Sequence, residues 1–485
     1  MFLVTFIVHS LSPISTSFDS HWTIPAAISL LDHGNPNLDV YSPLIEKDHD
    51  YSLECVNTDG SIVRAALCPN GHYYNYYPVA VPILAAPIVW ALRAAPTRLR
   101  GWLAFTMTPQ ERTAFLAADF VSIRGKVEVL VASVFVGLTT AVIFLIGRLT
   151  LPDSYSAFLA LIFAFATSAW STASRALWQH GPSMLMLSLA LYLLLRADEK
   201  PRFIALAALP VSFAYLLRPT NSLFAMAIAI YIAVRHRRYL IRYLLCALPI
   251  AAAFVIYNES VYGLVLPTYF SHPSPAEVAA DPIGGGRPAG PLAVLPRDTG
   301  KVLAALAGLL VSPSRGLLIY SPIFLCSIWG MVWALRTRWQ APLSGYLIGV
   351  IIANWLLLGA YYQNWMGGHS FGPRLFTDLT PFFIFFLIVT PMNVIPAGMT
   401  GIEAAGVAGG IRDVAPPLQN PLNRAGQQLA NAWQSQKPAA RLLQRRVMRH
   451  VLQADRVAKV GAVQQELADA AIILLLELLE HEAGE

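Results

Sequence analysis

Charge is what this sequence has least of. Only 13% of its 485 residues are Asp, Glu, Lys or Arg, about half the ~25% usual in soluble domains. The charges sit in short clusters between long apolar runs, and 56% of the chain is hydrophobic. That excludes a soluble globular domain. Cysteine is scarce too: four residues are too few for a disulfide framework. Cys246 and Cys326 lie in apolar runs and read as inert core thiols. Cys55 and Cys68 share the first hydrophilic segment and can pair if it faces an oxidising compartment, a question that spacing alone leaves open. Several motifs are missing. There is no Gly-x-x-x-x-Gly-Lys-Ser/Thr loop, so no ATP-driven motor is indicated. There is no His-Glu-x-x-His or Cys-x-x-Cys metal motif and no Gly-x-Ser-x-Gly elbow. No metal site and no cofactor are indicated, although a divalent metal is not excluded.

Apolar runs fill most of what remains. A bilayer core of ~30 Å needs about 20 apolar residues per helical crossing. Runs at 127–147, 157–178, 203–217, 239–257, 317–335, 345–361 and 379–395 approach that length, with shorter candidates at 79–92, 182–195 and 223–234. Residues 1–11 read as a clipped first helix rather than a signal peptide, because no basic segment precedes them. The pattern predicts an all-α fold: a polytopic transmembrane helical bundle with about eleven crossings. Short interfacial helices are expected in the outside loops. Residues 1–395 form the transmembrane domain in this reading, and 396–485 form a polar, partly helical tail.

The net charge of +6 does not signal nucleic acid. Basic residues cluster at helix ends, in Arg235-His236-Arg237-Arg238, Arg336-Thr337-Arg338 and 196–202, as the positive-inside rule places cytoplasmic loops. Segments 13–77, 259–315 and 362–380 and the surroundings of Trp178 and Arg218 then fall outside. A cell (inner) membrane location is expected, with the outside face toward the periplasm or exterior. Counting forward and counting backward disagree about 98–124, so either an extra crossing or a re-entrant 79–92 segment is needed. Residues 271–300 are rich in Pro and Gly and read as a long irregular outside loop.

Polar residues at the outside ends of membrane helices need a reason. Asp19 follows the first helix, in Ser17-Phe18-Asp19-Ser20-His21-Trp22, ahead of an apolar interfacial stretch at 24–31. A partly desolvated carboxylate there suits a general base; equally, Asp19 or Ser20 can cap the following helix. Tyr73, Tyr74, Tyr76 and Tyr77 read as an interfacial aromatic belt or as a wall for a sugar or polyprenyl ligand. Arg175 and His180 cluster near another outside helix end, where a structural role is the ordinary one for a lone histidine. Arg218, Arg315 and Arg374 break the positive-inside expectation. Guanidinium forks suit phosphate oxygens, but an exported arginine can also merely snorkel.

Together these segments resemble a family. Phe18-Asp19-Ser20 is followed by Ser29-Leu30-Leu31-Asp32-His33-Gly34, then Tyr77-Pro78-Val79-Ala80-Val81-Pro82. Trp178-Gln179-His180-Gly181-Pro182, Leu217-Arg218-Pro219-Thr220, Ser312-Pro313-Ser314-Arg315-Gly316 and Trp365-Met366-Gly367-Gly368-His369-Ser370-Phe371-Gly372-Pro373-Arg374 come after. This order, over residues 2–394, is similar to bacterial membrane glycosyltransferases of the GT-C superfamily, relatives of dolichyl-phosphate-mannose protein mannosyltransferases. The resemblance implies a polyprenyl-phosphate sugar donor, a lipid, glycan or protein acceptor approached from outside, and inverting transfer. It also implies a catalytic acid in the first loop, matching Asp19. Placement adds Arg218, Arg315 and Arg374 for the donor phosphate, with His21, Tyr77, Arg175, His180, Trp365 and His369 as substrate-binding candidates. A transporter or flippase of lipid-linked sugars is the chief rival; the inverted repeats common in transporters are not evident.

Overall fold

The computed structural model describes residues 1–12, 14, 19–48, 52–58, 62–64, 68, 71–265, 299–361, 365–368 and 370–389. All of them belong to one compact unit, Met1–Pro391. The tail expected at 396–485 and nearly all of the loop expected at 271–300 lie outside the described residues.

The architecture is mostly helical. Helix α1 is Phe2–Ser10, α2 is Thr23–His33 and α3 is Ser42–Asp48. Then come α4 Ala80–Ala94, α5 Thr97–Leu103, α6 Pro109–Leu116, α7 Arg124–Gly147 and α8 Asp153–Phe165. The second half contains α9 His180–Leu195, α10 Arg202–Leu217, α11 Ser222–Arg235, α12 Leu240–Tyr262 and α13 Thr299–Val311. Last are α14 Leu317–Tyr320, α15 Phe324–Thr337, α16 Leu343–Ala360 and α17 Thr380–Leu387. Helix α7 is central, packing on α1, α8 and α9. That explains why it is apolar all round, without a polar stripe.

Three helices of the described residues are long and apolar enough to cross a membrane: α7, α12 with its leading turn (Arg237–Tyr262), and α16. About eleven full crossings are therefore not reproduced, because several apolar runs are interrupted. Within 157–178, Thr167 bonds the Phe163 carbonyl at 2.7 Å and accepts from Ala169 N at 3.2 Å. The hydroxyl thus competes with the backbone just past the end of α8, and a π-helical turn, Ala169–Ala173, follows. The run 317–335 breaks before Pro322, which cannot supply a helical N–H. Helices α4 and α5 bend by 118° at Ala95-Pro96, where proline drives the preceding residue extended. This bend falls at the segment where the topology count disagreed.

The all-α expectation also needs correction. The first hydrophilic segment folds a three-stranded antiparallel sheet in the order β2-β1-β3, with β1 Leu53–Asn57, β2 Ile62–Arg64 and β3 Gly71–Asn75. Such short strands give little periodic signal. Cys55 and Cys68 are disulfide-bonded, Cα–Cα 5.6 Å. Gly71 pairs with Asn57 in the register; an added Cβ would lie 2.5 Å from the Cys55 sulfur and from the Val56 carbonyl. Trp22, Ala26, Leu38, Ile45, Leu53, Cys55 and Tyr73 form a small separate core. That core clamps the start of α2, and with it the turn carrying Asp19. Cys326, expected to be buried, is exposed on the outer surface of α15.

Candidate functional site

Asp19 sits in the turn between α1 and α2. The capping reading does not hold for it: Trp22 is the N-cap of α2 and makes no side-chain cap bond. Next to it, the Ser20 hydroxyl donates to Glu128 Oε2 on α7. Leu177 N donates to the same oxygen at 3.3 Å. Glu128, buried near the start of α7, thus ties the Asp19 turn to the segment leading into Trp178 and His180.

The Asp19 carboxylate accepts from Arg374 Nη2 at 2.7 Å; the side chains are 17% and 13% exposed. Arg374 occupies a short 3-10 turn, Arg374–Leu379, that packs on α9. Its guanidinium lies 4.1 Å over the Trp178 ring, a stacking geometry available to arginine and poorly met by lysine. Its Nη1 donates to the Gly367 carbonyl at 3.3 Å and its Nε to His180 Nε2 at 3.2 Å. The other ring nitrogen, Nδ1, lies 3.2 Å from Asp378 Oδ2 and 3.1 Å from Arg218 Nη1. Arg218 Nη1 pairs with that same oxygen. Asp19, Arg374, His180, Asp378 and Arg218 thus form one continuous polar chain, drawn from four separate stretches of sequence.

Arg315 joins from the neighbouring loop, where Nη2 donates to the Gly368 carbonyl at 2.8 Å. Burial lowers its pKa; Tyr320 partly offsets this and the Arg374 charge lowers it further. The Gly367-Gly368 and Gly372 backbones take φ of +67°, +71° and +75°, a left-handed conformation that side chains disfavour. Glycine is what lets this loop offer its carbonyls to two arginines. Arg218, Arg315 and Arg374 thus gather with Asp19 and Asp378.

The remaining candidates are placed differently. Arg175 donates to the His9 carbonyl at 3.2 Å and to Ser174 Oγ at 2.8 Å, and stacks 4.4 Å over Trp170. It braces α1 against the π-helical turn rather than joining the Asp19 chain. His21 is half-buried in the same turn as Asp19. Tyr77 lines a small aromatic cleft with Tyr215, Pro219 and Tyr257, beside the backbone of Arg218. Trp365 packs on α13 at Gly308, where an added Cβ would lie 2.6 Å from the ring. His369 lies outside the described residues. Among the described residues no three His, Cys, Asp or Glu side chains gather as metal ligands.

Sequence reasoning missed Asp378 and Glu128. Each carried a signal: Asp378 is the sole carboxylate between Asp298 and Glu403, and Glu128 the sole one between Asp119 and Asp153. A lone acid in so long an apolar stretch needs a buried partner.

No curated protein matches the chain. A family model does match: residues 113–260 fit dolichyl-phosphate-mannose-protein mannosyltransferase. The matched segment contains His180 and Arg218, while Asp19 and Arg374 lie beyond its two ends. Over that segment, less than a third of its length, the chain is similar to the mannosyltransferase-like membrane glycosyltransferases of GT-C type.

Proposed function

We propose that the protein moves a sugar from a polyprenyl-phosphate donor to an acceptor hydroxyl on the outer face of the membrane, with inversion at the anomeric carbon. The observation that carries this reading is the contact between Asp19 and Arg374, 2.7 Å apart at the end of the chain through His180 to Arg218. In the reaction, the acceptor oxygen forms a bond to the anomeric carbon as its proton passes to Asp19. The bond from that carbon to the phosphate oxygen breaks, and its electron pair stays on the phosphate. Arg374, with Arg218 and Arg315 nearby, holds that developing charge, the electrostatic role that usually contributes most to catalysis. Arg374 occupies the Asp19 carboxylate. A donor phosphate competes for the same guanidinium and frees the carboxylate to take a proton.

The test is transfer of radiolabelled sugar from polyprenyl-phosphate donors by the purified protein. Asp19→Asn lowers transfer by about 10²–10⁴-fold, the usual contribution of a general base, in protein that still elutes as a folded species on size-exclusion chromatography. Donor translocation without transfer, unaffected by that substitution, establishes the flippase instead.

A further inference from the structure

A separate cavity, lined by none of the residues of the Asp19 chain, runs along the bundle from Leu223 to Arg338. It has a volume of about 560 Å³ and opens between α11, the end of α15 and the first half of α16. Met226 and Ile230 form one wall and Ala334 another, and Arg338 stands at the mouth. The α16 wall contains Gly345 and Gly349, one turn apart. Glycine inside a helix costs about 1 kcal/mol relative to alanine. In membrane helices that cost is normally offset because small residues let a second helix approach closely. Here no second helix approaches: a Cβ built on either glycine meets nothing within 4 Å. The glycines deepen a groove that the protein itself leaves unfilled.

The polar end of the groove is basic. Arg338 is exposed and forms no ion pair among the described residues. Arg336 belongs to the same helix end, and Arg235 closes α11 beside it. Helix α16 runs about 27 Å at 1.5 Å per residue, from this end toward the loop bearing Arg374. The groove mouth therefore opens at the face opposite the sugar-transfer site, the face that the basic clusters mark as cytosolic.

We infer that this groove seats one hydrocarbon chain of an anionic phospholipid from that leaflet, with the lipid phosphate held at Arg338. A polyprenyl donor has its phosphate at the other face, so a guanidinium at this mouth has no use for it; charge selects the phospholipid. The choice of occupant rests on the proposed transfer reaction, in which the groove itself takes no part.

Two substitutions remove the site without harming the fold. Arg338 holds a left-handed backbone, φ +56°, so Arg338→Gly relieves backbone strain while deleting the charge. Gly349→Leu fills the groove with a strong helix former. In detergent, phosphatidylglycerol and phosphatidylcholine of matched chains are titrated against the full chain, following melting temperature and bound lipid by native mass spectrometry. Phosphatidylglycerol raises the melting temperature of the parent protein and stays bound. Arg338→Gly binds it about fivefold more weakly, and Gly349→Leu loses both lipids. Equal response to the two lipids, or binding unchanged in both variants, overturns the proposal. So does a dimer that Gly349→Leu dissociates, since a second copy then fills the groove, or retention of polyprenyl phosphate with insensitivity to Arg338→Gly.

Discussion

The pair formed by Asp378 and Arg218 makes a quantitative demand on the fold. Their side chains are 4% and 12% exposed, so neither charge is well hydrated. Deleting one member of a buried pair costs ~3–5 kcal/mol, chiefly because the other is left uncompensated, whereas removing both together can be nearly neutral. Arg218 retains some solvent contact, so the lower end of that range applies. Asp378→Asn keeps shape and one acceptor oxygen, and is expected to cost about 3 kcal/mol. Arg218→Gln, which strands Asp378, is expected to cost about the same. If the two were independent, the double variant would lose about 6 kcal/mol. Instead it should lose about 1–2 kcal/mol, a coupling of about 4–5 kcal/mol. The assay is thermal unfolding in detergent followed by tryptophan fluorescence. At ~2 °C per kcal/mol for a long chain, each single variant melts ~6 °C lower and the double variant ~2–4 °C lower. Single variants that melt with the parent protein, or a double variant at the additive value, would refute the buried ion pair.

Two further outcomes follow from the first hydrophilic segment. Burial pushes the Glu54 carboxyl from 4.5 up to about 8, opposed by its hydrogen bond to Tyr262. A raised carboxyl pKa means that folding favours the neutral form. Its stabilisation is therefore fully present below about 4.5 and is lost as pH climbs toward about 8. Melting temperature should fall across that window, and Glu54→Gln should flatten the fall. The Cys55–Cys68 bridge closes a loop with a sequence separation of 13, which constrains the unfolded segment by ~3 kcal/mol. Replacing both cysteines by serine should speed limited proteolysis within 49–70 while leaving helices α7 to α10 resistant, as judged by peptide mapping.

What could be read in advance follows from where polarity stood out. Asp19, Arg218, Arg315 and Arg374 were visible because they sit at helix ends where a membrane protein has few reasons for charge. The structure brings Asp19 to Arg374 directly, and Arg315 to the glycine loop beside it. Asp378 and Glu128 were hidden inside apolar runs, where averaged hydropathy submerges a single carboxylate. Their partners, Arg218 and Ser20, are 160 and 108 positions away, and no local pattern reports such pairings. Crossing number was also obscured. Thr167 and Pro322 stand at helix breaks without lowering apolarity, so a hydropathic run does not reveal where the hydrogen-bond ladder stops. Arg175, also conspicuous in the sequence, donates to the His9 carbonyl of α1, a partner 166 positions away that no local pattern reports.

The span between Asp19 and Arg374, 355 positions, bears on how the protein is made. At ribosomal rates of ~5–20 residues per second, roughly 20–70 s separate the emergence of the two. Throughout that interval the carboxylate waits at the bilayer surface with its guanidinium still unsynthesised. Premature termination anywhere before the glycine loop yields a membrane-inserted product that retains Asp19 but can never assemble its counterpart. The Asp19–Arg374 pair is thus withheld until translation has passed Arg374, and under the proposed reaction a half-made chain transfers no sugar.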